Sequence, residues 1–93
     1  MTVDEFRVAE AGEFDGPLLA LWWDGRGNWD KAHEVAQDVD DADGAWVHAY
    51  LHRKEGDESN AAYWYRRAGR PVARGELKEE WERMVLELLE RRG

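Results

Sequence analysis

Three histidines are the residues of this sequence best suited to bind a metal ion or to transfer a proton. His48 and His52 are four residues apart, so on a helix both rings project from one face and could share one ion. If the helix that carries His33 packs against theirs, the third ring could face the pair. Three roles stay open for them: a metal site, a polar pocket for a small ligand, and a structural role through hydrogen bonds to a backbone carbonyl or a tyrosine hydroxyl.

Aromatic and cationic side chains recur at helical spacing on two neighbouring segments, a composition typical of a binding surface. The predicted members are Trp46, Tyr50, Arg53, Lys54, Tyr63 and Arg67. Tyr63 and Arg67 are four residues apart, so the guanidinium can lie against the phenol ring. Such a surface suits an acidic or carboxylate-ended peptide. The alternative is an ordinary packed flank with partly exposed rings.

Other chemistries lack the residues that they need. The chain has no cysteine, which excludes a disulfide or a thiolate metal site. Ser59 is the only serine, which argues against a serine nucleophile. The acidic run from Asp38 to Asp43 lacks the alternating spacing and the final glutamate of a calcium loop. We therefore expect no cofactor, and the sequence leans against an enzyme.

The charge distribution limits the class of partner. The 93 residues carry a net charge of −8, which disfavours binding to nucleic-acid phosphates. Residues 46–75 depart from this trend, with six basic and three acidic side chains. This segment either pairs with the acidic parts of the chain or binds an anionic partner. No apolar run approaches the ~20 residues needed to cross a bilayer, so we expect a cytoplasmic protein that does not bind membranes.

The spacing of apolar residues and the capping signals predict six helices, and no segment shows the alternation of a strand. The predicted helices are Val3–Glu10, Pro17–Asp24, Trp29–Val39, Ala45–Glu55, Glu58–Ala68 and Glu76–Arg91. The predicted N-caps are Thr2, Asn28, Asp43 and Asp57. The helix over 45–55 has almost no polar face, so it should be central to the fold.

The chain also contains an internal repeat. A shift of 29 residues aligns Ala20 with Ala49, Gly27 with Gly56, and Ala32 with Ala61. Small residues let two antiparallel helices approach closely, and a glycine followed by an N-cap makes the reversal. The second copy resembles a tetratricopeptide repeat through Ala49, Gly56, Ala61, Tyr65, Ala68 and Pro71. It departs from that family in its period, which is shorter than about 34 residues, and in having a histidine where a large apolar residue is usual.

This resemblance implies a right-handed stack of antiparallel hairpins that binds peptides along the first helix of each hairpin. Within one domain over 1–93, residues 1–16 would form a capping helix and loop, 17–71 two hairpins, and 75–92 a second capping helix. The segments WDKAHEVAQ, WVHAYLHRKEGD and NAAYWYRRAGRP are also similar to those of a family of small uncharacterised bacterial proteins, and that similarity implies no activity.

The sequence therefore predicts an all-α, tetratricopeptide-like fold of five to six helices. The function it favours is a non-catalytic module that binds a protein or an acidic peptide, or that forms a homodimer across Trp22 and Trp23. The alternative is a small-ligand or metal-binding protein that uses His33, His48 and His52 with neighbouring tyrosine and arginine side chains.

Overall fold

The computed structural model describes residues 1–92, and these form six α-helices. The helices are α1 (Val3–Val8), α2 (Gly16–Gly25), α3 (Trp29–Gln37), α4 (Ala42–Glu55), α5 (Glu58–Ala68) and α6 (Leu77–Arg92), and a short 3-10 helix covers Ala11–Glu13. No strand occurs within this range, so the predicted all-α fold of five to six helices is confirmed. Among them, no helix combines the length and the apolar composition that crossing a membrane requires.

Two helical hairpins, α2–α3 and α4–α5, provide the most extensive contacts between elements. Each reverses at a glycine, and Gly27 and Gly56 have positive φ values of 79° and 90°. The next residue, Asn28 or Asp57, donates its backbone N–H to the preceding helix and caps the following helix with its side chain. The two reversals therefore share the same local hydrogen bonding. Membership of the tetratricopeptide family stays a prediction.

The start of α4 corrects the predicted cap. We expected Asp43 to cap a helix beginning at Ala45, whereas α4 begins at Ala42 and Asp41 is its N-cap. The Asp41 carboxylate accepts the backbone N–H of Gly44 at 2.8 Å. A Cβ at residue 44 would lie 2.2 Å from the carbonyl oxygen of Val39. Gly44 is thus required for close packing inside the helix and does not interrupt it.

The N-terminal segment also differs from the prediction. α1 ends at Val8 and not at Glu10, and the predicted loop contains the 3-10 helix. The backbone N–H of Glu10 binds the side chain of Glu13 at 3.0 Å, which starts this separate turn. Phe14 then packs its ring 4.7 Å from that of Phe6, so the turn delivers an aromatic side chain to the core.

Helix α4 is the centre of the fold, as its lack of a polar face predicts. Every residue from Gly44 to His52 is buried. The helix contacts α2, α3, α5 and α6. Since no side of it faces solvent over this length, its polar side chains must find partners within the protein.

A buried carboxylate satisfies part of this requirement. Glu80 on α6 is 2 % exposed. Its Oε1 accepts from Arg53 Nη1 at 2.9 Å, and its Oε2 accepts from the Tyr65 hydroxyl at 2.5 Å. Burial, and then the Glu80 carboxylate, raise the pKa of Tyr65, so the phenol keeps its proton and remains the donor. These bonds join α4, α5 and α6.

Candidate metal centre

The histidines lie where α3 packs against α4. His48 and His52 belong to α4, and His33 belongs to α3. The indole N–H of Trp29 donates to the Leu51 carbonyl at 2.8 Å and holds the two helices together at this level. From the sequence, we expected His33 to face the other two histidines only if its helix packs against theirs, and this contact between α3 and α4 is present.

The three imidazoles converge on one point. The ring centroids of His33 and His48 are 4.6 Å apart, those of His33 and His52 are 5.2 Å apart, and those of His48 and His52 are 4.8 Å apart. Each ring offers a nitrogen that lies within 4.8 Å of a nitrogen on both others. The ligand nitrogens of a tetrahedral zinc ion are separated by roughly 3.3 Å, given zinc–nitrogen bonds of about 2.0–2.1 Å. Side-chain rotations that close the longest separation by about 1.5 Å would complete such a set.

Two tryptophans enclose the cluster. Trp29 stacks on His33 with ring centroids 5.0 Å apart and an angle of 11° between the planes. Trp64 stacks on His48 at 4.0 Å and 9°. These flat contacts limit the orientations that two of the three rings can adopt.

A carboxylate orients the third ring. His52 Nδ1 lies 2.8 Å from Glu55 Oε1, and the Asn60 side-chain nitrogen lies 3.4 Å from His52 Nε2. A carboxylate can only accept, so the Nδ1 proton is donated to Glu55 and Nε2 carries the lone pair. Metal-binding histidines commonly donate one ring nitrogen to a carboxylate in this way. The other nitrogen of His52 would bind the ion, and the ion would then replace its contact with the Asn60 amide.

Two of the three rings favour the neutral form. Burial, followed by the neighbouring rings of His33 and His52, lowers the pKa of His48 to about 4. Burial also lowers the pKa of His33; His52 acts in the same direction, while Glu55 and Asp30 oppose it. Near pH 7, His33 and His48 are therefore neutral, which is the form that binds a metal.

Sequence reasoning did not assign Glu55 to the site. The signal was present, because Glu55 follows His52 by three residues and such pairs are neighbours on a helix surface. Glu55 and Asp57 also form a second set of donor atoms with His52, but both acids are exposed.

The predicted surface on α4 is wrong in its central feature, since its aromatic residues are not exposed. Trp46 is 3 % exposed and Tyr50 is 2 % exposed. The guanidinium of Arg70 covers the Trp46 ring at 3.4 Å from the ring centroid. The Tyr50 hydroxyl donates to the carboxylate of Asp24 at 2.7 Å. With both rings buried, the predicted residues of α4 do not form a contiguous exposed aromatic surface.

The two cations of that predicted surface have intramolecular partners. Arg53 binds the buried Glu80, and Lys54 Nζ lies 2.8 Å from Asp24 Oδ1. Both acids are distant in sequence, so no local pattern reveals these pairs. Of the two alternatives given for the basic segment, pairing with acidic parts of the chain is the one observed for these two residues.

The pair on α5 has the predicted geometry. Arg67 Nη1 lies 3.3 Å from the Tyr63 hydroxyl, and the guanidinium carbon lies 5.9 Å from the centroid of the Tyr63 ring. It also lies 5.1 Å from the centroid of Trp64. Tyr63 is 44 % exposed, so this pair remains accessible to a partner, and its role in binding stays a prediction.

No protein-family model, curated protein or solved structure matches this chain. The function therefore has to be argued from the arrangement of its own side chains.

Proposed function

We propose that this protein binds one divalent transition-metal ion, with zinc as the reference case, through His33, His48 and His52. The observation that supports this proposal is the approach of three imidazole nitrogens to within 4.8 Å of one another. These are all the histidines of the chain, so its entire imidazole content meets at one place.

The donor set selects the class of metal. Neutral imidazole suits zinc, copper, nickel and iron, whereas magnesium and calcium prefer oxygen ligands. Three protein nitrogens leave one position of a tetrahedral zinc ion for water or for a ligand. When bound, such an ion would supply a Lewis acid at that position, and Glu55 would hold the Nδ1 proton of His52.

The hydrogen bonding of His48 favours this reading over a purely structural histidine. Within residues 1–92, no protein group bonds to either ring nitrogen of His48, in contrast to His52, which has partners at both. No fully enclosed side-chain nitrogen or oxygen in this range lacks a partner, so the His48 nitrogens keep some contact with solvent. A structural histidine would normally be bonded to a carbonyl or hydroxyl.

The favoured interpretation from the sequence, a module that binds a protein or acidic peptide, has less support. Its groove required exposed Trp46 and Tyr50, and both are buried. A homodimer across Trp22 and Trp23 is also weakened, because the Trp22 N–H bonds the Ala9 carbonyl at 2.9 Å and Arg26 lies over its ring. The chain itself thus covers part of that surface.

Titration of the untagged protein with zinc, followed by native mass spectrometry and calorimetry, tests the proposal. An affinity tag of histidines must be absent, since it would bind the same ions. We expect one zinc ion per chain and a loss of at least tenfold in affinity for His33→Gln and for His52→Gln, the scale on which changes around a metal act. Glu34→Gln is the matched control on α3, because this side chain is 65 % exposed and only pairs with Lys31.

The proposal fails if the protein takes up no zinc at concentrations well above micromolar. It also fails if the histidine variants bind zinc as tightly as Glu34→Gln does, because the ion would then be held elsewhere.

A further inference from the structure

A cleft on the other side of α4 has the features of a second binding site. It lies between α1, α2, α4 and α6 and has a volume of about 260 Å³. Tyr50 and Lys54 of α4 contribute to its lining. Each follows a histidine of the cluster by two residues, and two residues along a helix turn the side chain by about 200°. The cleft is therefore separate from the imidazoles.

A carboxylate that is paired with a cation, that of Asp24, lies at the buried side of the cleft. Asp24 Oδ2 accepts from the Tyr50 hydroxyl at 2.7 Å, and Asp24 Oδ1 accepts from Lys54 Nζ at 2.8 Å. Burial, and then the Asp24 carboxylate, raise the pKa of Tyr50, so the hydroxyl remains the donor. An ammonium group has three donors, and this bond uses one of them. Lys54, whose side chain is 37 % exposed, keeps the others for a ligand.

The rim of the cleft carries two cations that have no acidic group within hydrogen-bond distance among the described residues. The Arg7 guanidinium lies over the Trp81 ring at 4.7 Å from its centroid. Among residues 1–92, the acid nearest to both Arg7 and Lys78 is Glu82, at 3.6 Å and 3.9 Å. Both separations exceed hydrogen-bond length, so the donors of these two side chains remain available. Three helices thus supply three cations around one carboxylate, in a chain whose net charge is −8.

We propose that this cleft binds a small organic carboxylate. The ligand carboxylate would accept a paired hydrogen bond from Arg7, which is the preferred geometry between guanidinium and carboxylate groups. Lys54 and Lys78 would supply further positive charge, and the rings of Trp81 and Tyr50 would contact its hydrocarbon part. Pockets for drug-sized ligands begin at about 300 Å³, so a molecule with a single ring is the appropriate size. This site does not depend on the metal proposal.

Nuclear magnetic resonance can test this with three probes that share a benzene ring: benzoate, phenyl phosphate and benzylamine. The reporter is the indole N–H of Trp81, which donates to the Leu21 carbonyl at 3.0 Å. We expect benzoate to shift this signal saturably and benzylamine to leave it in place. Arg7→Gln should weaken benzoate binding by roughly tenfold or more, because it removes both hydrogen bonds of the charge-assisted pair, and Lys78→Gln should weaken it less.

The control is Lys31→Gln on α3, which removes a partly exposed lysine that does not line the cleft and should bind benzoate as the unmodified chain does. The Arg7 and Lys78 side chains are 43% and 77% exposed, so their variants should keep the fold, as their spectra will report. The proposal is overturned if benzoate gives no saturable shift, if benzylamine binds equally well, or if Arg7→Gln binds like Lys31→Gln. Tighter binding of phenyl phosphate would overturn the assignment to carboxylates.

Discussion

Acid should destabilise this fold through His48. The pKa of His48 is about 4 in the folded chain, compared with 6.5 for an unperturbed histidine. Between these values the unfolded chain binds a proton that the folded chain excludes, so the unfolding free energy falls as the pH falls. The stability that depends on the neutral ring is fully present above pH 6.5 and is lost as the pH approaches 4.

The size of this effect follows from the separation of the two pKa values. Each pH unit between them corresponds to about 1.4 kcal/mol, which gives an upper limit of about 3 kcal/mol at pH 4. The ring nitrogens retain some contact with water, which screens a charge at that position. We therefore expect His48 to contribute about 2 kcal/mol of acid destabilisation. His33 and His52 face the same ring, and protonation of either one increases the cost of charging His48.

Urea unfolding followed by circular dichroism at pH 7.5, 6.0, 5.0 and 4.5 measures this contribution. The comparison is between the unmodified chain and His48→Gln, whose amide does not titrate. Carboxylates elsewhere contribute equally to both, so the difference between the two pH profiles reports His48 together with its coupling to His33 and His52. We expect the unmodified chain to lose about 2 kcal/mol more than the variant between pH 7.5 and pH 4.5.

Parallel pH profiles for the two proteins would refute the reasoning. They would mean that His48 takes up a proton as easily in the folded chain as in the unfolded one. The argument that His48 is neutral and able to bind a metal near pH 7 would then be lost.

Three further predictions concern stability. Arg53→Met should lower the unfolding free energy by about 3–5 kcal/mol because it leaves the buried Glu80 carboxylate without its cation, and Tyr65→Phe should lower it by about 1–3 kcal/mol. In the same urea assay, a loss for Arg66→Met, on the exposed face of α5, that equals the loss for Arg53→Met would contradict this account. Gly44→Ala should lower the thermal stability more than Gly56→Ala does, since the new methyl group at 44 meets the Val39 carbonyl at 2.2 Å, whereas the site at 56 is open and only its φ of +90° is strained. The reverse order of the two stabilities would be evidence against the packing described. Zinc at a hundredfold excess over its dissociation constant should raise the unfolding free energy by about 2.7 kcal/mol, and addition of a chelator that leaves this gain intact would contradict specific binding.

Local signals accounted for most of the helices. Helix α5 was predicted with the observed bounds, Glu58–Ala68, because an aspartate cap precedes it and Gly69 in a left-handed conformation follows it. The prediction failed at Gly44, where a glycine that usually marks a helix end lies inside α4. Its role depends on the approach of Val39, and that distance is a tertiary property.

The sequence predicted only part of the candidate site. The spacing of His48 and His52 places both rings on one face of a helix, but the third ring enters only because α3 packs there. The aromatic surface was misread for a related reason. The sequence shows that α4 lacks a polar face, yet it does not show that Asp24 and Glu80 lie beside that helix to receive Tyr50, Lys54 and Arg53.

A crystal structure of the zinc-loaded protein, with diffraction measured on both sides of the zinc absorption edge, tests the central claim most directly. The account predicts one anomalous peak between α3 and α4, bonded at about 2.0–2.1 Å to a nitrogen of His33, His48 and His52. A peak at the exposed carboxylates of Glu55 and Asp57, or a loaded crystal in which the three rings hold no ion, would contradict it.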